Sequence, residues 1–393
     1  MRTSLWVLTA VAALAAGLGE CAEPEAVNRY ARWSHGPSGD ADFFPVAVWL
    51  QTPENAPKFR EIGINVYVGQ WKGPTEEQLA ELKKHGMKVI CEQNEVGLRH
   101  VDDPTIIAWM HGDEPDNMKR NADDTKWIPV ASPDEIIADY NLWKQRDPSR
   151  PVYLNLGQGV ANDAYRGKWV HDHADYVKFL DGCDIVSYDI YPMRTNRPEE
   201  HGRNELVPFG VERLHKWADG QRIVWNIVEC VPMPEGKDGP TPHTVRYQVW
   251  SSLIHGSTGI CYFVHQFRPT FIEAGLLAHP KMAEAVGKIN AGVHRLAPVL
   301  NSPTREGLVS ATSYRGAPVD VMVKCHGGNV YVFAAAMGPG EAAKVTFHVK
   351  PIVGQAGTVE VIDEDRVVQM ADGLFTDQFS GYDVHIYRFR AAP

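Results

Sequence analysis

The chain has 393 residues, 44% of them hydrophobic and 22% charged, an ordinary globular composition that gives disorder no support. Its formal net charge of -10 and pI near 5.9 argue against nucleic acid as a partner, because neutralising phosphates takes a basic face and no Lys/Arg-rich run occurs. Neutral or mildly polar ligands fit this balance better.

Residues 1–22 carry a positive charge at Arg2, an apolar stretch from Leu5 to Leu18, and small residues ahead of a polar start. That is the arrangement of a secretory signal peptide, so a secreted or periplasmic protein is expected. At 1.5 Å per residue the stretch is too short to cross about 30 Å of hydrocarbon, and no other segment is apolar enough, so no membrane span is expected. Cys21 follows Glu20, where a lipid-anchor signal needs a small residue. With Cys21 removed, an odd number of cysteines and no CxxC remain, which indicates neither a disulfide framework nor a zinc knuckle.

Between residues 23 and 300, short apolar runs alternate with amphipathic stretches. The runs are Phe44–Leu50, Ile64–Gly69, Met87–Cys91, Ile106–Met110, Val152–Leu156, Asp184–Tyr191, Arg222–Cys230 and Gly259–Val264. Runs without polar alternation suit parallel strands covered on both faces. Thr75-Glu76-Glu77-Gln78 and Ser132-Pro133-Asp134-Glu135 are capping boxes that open helices, and Gly86 closes the first of these. Eight strands alternating with helices predict an α/β fold, a (β/α)8 TIM barrel. The competing doubly wound sheet lacks a GxGxxG after the first strand.

From 301 to 393 the pattern changes to short strands separated by turns such as His326-Gly327-Gly328-Asn329. Lys344–Lys350 alternates strictly, as a strand with one wet face should. A C-terminal antiparallel β-sandwich without an ionisable cluster of its own is expected.

Active sites of such barrels lie at the carboxyl ends of the strands. The fourth run delivers His111-Gly112-Asp113-Glu114-Pro115-Asp116 there, and the seventh ends on Glu229. Glu114 and Glu229 are therefore expected to face each other across the mouth. A Glu followed by Pro after strand four, a second Glu ending strand seven, Trp109 ahead of Asp113, and Ser187–Pro192 (SYDIYP) on strand six together resemble the clan A retaining glycoside hydrolases. The resemblance implies hydrolysis of a β-glycosidic linkage in a poly- or oligosaccharide by double displacement, without a cofactor. It implies Glu114 as acid/base and Glu229 as nucleophile, with carboxyls roughly 5–5.5 Å apart. Tyr188 or Tyr191 would hydrogen-bond Glu229, while Asp113 and Asp116 raise the proton affinity of Glu114. The clan has Asn where this chain has Asp113, which alters recognition of the sugar 2-position.

Asn94 and Asn155, with Gln93 and Gln158, are candidates for binding sugar hydroxyls. Trp49, Trp71 and Phe267 are candidates for stacking on sugar rings, and His265 for substrate contact. Glu92 is the rival nucleophile. His171-Asp172-His173 has the HxH spacing of barrel metallohydrolases, but it lies after strand five rather than on strand one, so no metal is assigned. The alternative from another class is a non-catalytic carbohydrate-binding protein on the same barrel. Nothing in the sequence speaks to an oligomeric state.

Overall fold

The computed structural model describes residues 28–164, 171–233, 238–340, 343–351 and 353–392. The expected signal peptide, residues 1–22, lies outside them. Every apolar run named above contains a barrel strand: Val46–Trp49, Val66–Val68, Lys88–Cys91, Ile106–Met110, Val152–Leu156, Ile185–Tyr188, Asn226–Glu229 with its lower half Ile223–Val224, and Ile260–Phe263. Neighbours pair in parallel. The sixth strand meets the lower half of the seventh, the upper half meets the eighth, and the eighth returns to the first through Val46 opposite Ile260, so the ring closes.

Strand periodicity decides what each side chain faces. Val46 and Val48 pack under the helices, whereas Ala47 and Trp49 point into the barrel with Val68, Ile90, Met110 and Tyr153. Trp225 separates the halves of strand seven; its Nε1 donates to the Tyr30 hydroxyl at 3.1 Å, and its ring meets Tyr153 edge-on. A register shift against strand three places both Ile107 and Ala108 among the inner residues, which returns Met110 to the inside.

Both capping boxes form. Thr75 caps Glu76–Lys84 and Ser132 caps Pro133–Arg146, each with its reciprocal Gln78 or Glu135 bond. The segment between strands four and five is a hairpin of Met118–Arg120 and Trp127–Pro129 ahead of that second helix. Cys91, Cys183, Cys230 and Cys261 are buried free thiols, packed as small hydrophobes. No helix among the described residues is long and apolar enough to cross a membrane.

From Val309 onward two antiparallel sheets stack as a sandwich, one of three strands and one of five, with Val332, Ala334, Val345, Phe347 and Phe375 between them. It rests on helix Pro242–Ile254, where Trp250 stacks on Phe333 with ring centres 5.8 Å apart. The Tyr382 hydroxyl donates to Glu205 Oε2 at 2.7 Å across the same boundary. One expectation is corrected: the sandwich does hold an ionisable cluster. Arg366 makes a two-pronged bond to Asp377 and a third bond to Glu364, which also meets His385. These side chains come from three successive strands and the turn before the first of them, and they meet only when those strands pack together, so the pattern along any one strand did not reveal them.

Candidate active site

Strand four ends at Met110, and the chain turns sharply. His111 points outward, hydrogen-bonding the Gly182 carbonyl through Nε2 at 2.8 Å and stacking on Trp143. Two residues on, Asp113 faces the mouth. Glu114 has φ of 44°, a left-handed conformation that costs a non-glycine residue roughly 1–3 kcal/mol. The turn is held by the Glu114 N–H donating to Asn155 O at 3.2 Å and by the Asn117 N–H donating to Glu114 O at 2.9 Å. Asn117 Nδ2 also donates to Glu114 Oε2 at 2.9 Å, aiming the carboxyl.

Beyond it, Asp116 is fully buried and accepts from Gly157 N and the Tyr176 hydroxyl, both at 2.8 Å. It ties the turn to the loop after strand five. Gly157 permits a close approach here: a Cβ at that position would sit 3.0 Å from Glu114 Oε1 and 3.5 Å from Asp116 Oδ2.

The centre of the site is Asn155, on the inner face of strand five. Its Nδ2 donates to Asp113 Oδ1 at 2.9 Å and to Asp189 Oδ1 at 3.1 Å, so these two carboxylate oxygens are at most about 6 Å apart. Its Oδ1 accepts from Ser187 Oγ at 2.7 Å, which in turn meets the Tyr153 hydroxyl inside the barrel. Tyr191 hydrogen-bonds Asp189 from the same strand end. Burial, and then the charge of Asp113, push the Asp189 carboxyl up to about 7. Partial desolvation in the crowded mouth, with the charge of Asp116, raises Asp113 to about 6 despite the Asn155 bond, though the residue itself stays exposed. Glu114 is held well above the ordinary carboxylate range by burial first, then by the charges of Asp189, Asp113 and Asp116. The expected influence of Asp113 and Asp116 is present, but Asp189 is the larger charge. A cavity of about 390 Å³ opens over this group, with Glu114, Asp189, Tyr191, Gln158, Arg197 and Glu200 on its walls.

Glu229 ends strand seven fully buried. Its Oε1 accepts from Met193 N at 2.8 Å and Gln248 Nε2 at 3.0 Å, while Oε2 has no hydrogen-bond partner among the described residues. Burial raises its carboxyl to about 7, against the pull of those donors and of Arg194. It is not among the described residues lining the cavity.

Other expected contacts are redistributed. Tyr188 faces outward and its hydroxyl donates to Leu206 O at 3.0 Å, because strand alternation puts it on the helix side; neither it nor Tyr191 holds Glu229. Asn94 caps helix Glu95–Arg99 by accepting from Gly97 N at 2.9 Å, with its amide on Pro74 O, so it serves the backbone. Asn155 has every polar atom occupied and positions the carboxylates instead of meeting a hydroxyl directly. Trp49 is buried in the barrel interior. His265 is also buried; its Nε2 donates to Leu50 O at 2.9 Å and its ring stacks on Trp71, so it braces that indole. Trp71 is 42% exposed with Nε1 on Glu273 Oε1, and Phe267, stacked on Phe263, is 55% exposed, so each ring keeps exposed surface beside its packed neighbour. Gln93 donates to Trp143 O, and Glu92 is exposed after strand three. His171 packs inward against Phe179 while His173 meets Asp163 at the surface, so the two rings have separate partners.

Asp189, Gly157 and Arg194 join the site without a sequence motif of their own. Asp189 was within reach: Ser187, Asp189 and Tyr191 share one parity of strand six and Tyr188 the other.

Fold and site together define a barrel protein with a carboxylate-lined mouth at the carboxyl ends of its strands. The chain matches no protein-family model and no curated protein sequence. Its fold does have solved counterparts. One is a GH42 beta-galactosidase from G. stearothermophilus, solved as a catalytic mutant (TM-score 0.59, 9% identity, 92% of this chain and 100% of that one). Another is AmyP in complex with maltose (TM-score 0.54, 8% identity, 90% and 98%). At such identities the likeness establishes the fold, and it is the fold the sequence resemblance implied.

Proposed function

We propose that the protein is a glycoside hydrolase that cleaves a β-linkage in a poly- or oligosaccharide with retention. The observation that carries this reading is Glu114, whose proton affinity is raised at the wall of a cavity of about 390 Å³, a size that suits a small ligand. An acid whose proton affinity is raised holds its proton to higher pH, and a held proton is what departure of a sugar alcohol needs. Glu114 gives its proton to the leaving oxygen as the glycosidic C–O bond breaks, while a carboxylate forms an ester to the anomeric carbon. Glu114, now ionised, takes a proton from water, whose oxygen displaces the ester and restores the carboxylate. Glu229 is the nucleophile of this reading, supported by the two donors that fix Oε1 and leave Oε2 without a hydrogen-bond partner among the described residues. Asp189 is the second reading for that role, favoured by its place on the cavity wall and its weight on Glu114. The charged and apolar pattern of residues 1–22 supports export.

Activated aryl glycosides separate these roles. Glu114→Ala should still consume them, lose about 10²–10⁴-fold on natural linkages, and recover with azide. Of Glu229→Gln and Asp189→Asn, the one that abolishes even activated substrates marks the nucleophile. Equal loss for Glu114→Ala on both substrate classes, with no azide effect, would refute the assignment and favour a barrel that only binds sugar.

A further inference from the structure

Beside the mouth lies a second cavity of about 300 Å³, whose described charged lining residues are all positive. Arg194, Asn196, Gln266, Phe267 and Arg268 line it, with no carboxylate among its described lining residues, whereas in the mouth Glu114, Asp189 and Glu200 stand alongside Arg194 and Arg197. Arg194 and Phe267 form a wall shared by both cavities.

Building on the glycosidase reading, we propose that this second cavity is a subsite for an anionic substituent of the glycan, a carboxylate or a sulfate ester, held by Arg194 and Arg268. Acidic residues outnumber basic ones in this chain, 49 to 39, and other arginines pair readily, as Arg99 does with Glu76, Arg213 with Asp163 and Arg388 with Glu360. Among the described residues, Arg194 and Arg268 have neither an ion-pair partner nor a side-chain hydrogen bond. Among the described residues Arg194 Nη1 is buried without an acceptor, a state that costs free energy unless a ligand supplies one. Its guanidinium lies 5.6 Å from the Phe263 ring centre and 5.9 Å from that of Phe267, which hold its planar face and leave its N–H edge to an oxyanion. Arg194 also acts on Glu229, and that role alone would explain its charge. It would not explain Arg268, or the missing acceptor at Nη1. Two arginines of one sign in a cleft focus a field that attracts anions and bind carboxylate or sulfate oxygens through paired N–H groups.

The test uses matched probes bound to the Glu114→Gln protein, in which hydrolysis is blocked. Uronate-bearing and sulfated polysaccharides are each compared with the same backbone after carboxyl reduction or desulfation. The expected result is binding to an acidic probe that its neutralised counterpart loses, weakened roughly 10- to 100-fold by Arg268→Gln or Arg194→Gln and partly restored in Arg268→Lys. Which neutralisation abolishes binding identifies the group as carboxylate or sulfate. Equal binding of acidic and neutralised probes, indifferent to Arg268→Gln, would overturn the subsite and leave the glycosidase reading standing. If no glycan of either kind binds, both fall.

Discussion

Asp189 is the residue on which the electrostatics of the mouth turn. It is the largest charge acting on Glu114, and its own carboxyl is raised to about 7. An acid whose folded-state pKa exceeds its unfolded value binds more protons when folded, so its contribution to stability is complete at acid pH and falls as pH rises from about 4 to about 7. Asp189→Asn keeps an acceptor for Asn155 and removes the titration. The variant should gain in melting temperature relative to the parent as pH rises through that window, with little relative gain near pH 4. Thermal melts at pH 4 and pH 8 decide the matter; a difference independent of pH would show that Asp189 ionises like a surface aspartate.

Among the elements, the loop after strand five shapes the turn after strand four. Gly157 has an ordinary φ of -78°, so alanine fits the backbone there, but its Cβ would press on the Glu114 carboxyl at 3.0 Å. Gly157→Ala should therefore fold and bind, yet lose about tenfold or more in kcat on natural linkages, since a displaced acid transfers its proton poorly. Activated aryl glycosides, which need no proton, should be hit less in the glycosylation step. An equal loss on both would mean that the methyl blocks the cavity and leaves the acid where it was.

At the scale of the whole molecule, barrel and sandwich share one apolar cluster, in which Trp250, Tyr247 and Val249 meet Phe333, Tyr382 and Ile386. Phe333 is fully buried there. Removing its ring as Phe333→Ala should cost about 3–5 kcal/mol, read from urea unfolding, and the two parts should still unfold in one transition. If near-ultraviolet and far-ultraviolet signals instead separate, with the barrel unfolding at its original midpoint, the sandwich is an appendage and not a support.

The barrel was legible in sequence because parallel strands covered on both faces must be continuously apolar, and each of the eight runs became a strand. The capping boxes at Thr75 and Ser132 were legible because a cap is satisfied within four residues. The sandwich was partly so: Val309–Ser313, Arg366–Met370 and Leu374–Phe379 escaped, because each buries only one or two residues and so carries no apolar run or clean alternation. The turn Asp113–Asp116 was found from its composition and its place after strand four. What it would face was not, because Asn155, Asp189 and Arg194 reach it only when the ring closes. Local pattern records which face a residue takes along its own strand. Only the closed ring decides that one amide holds two carboxylates, that Tyr188 turns away while Asp189 turns in, and that Glu229 lies buried beneath the donors of its neighbours.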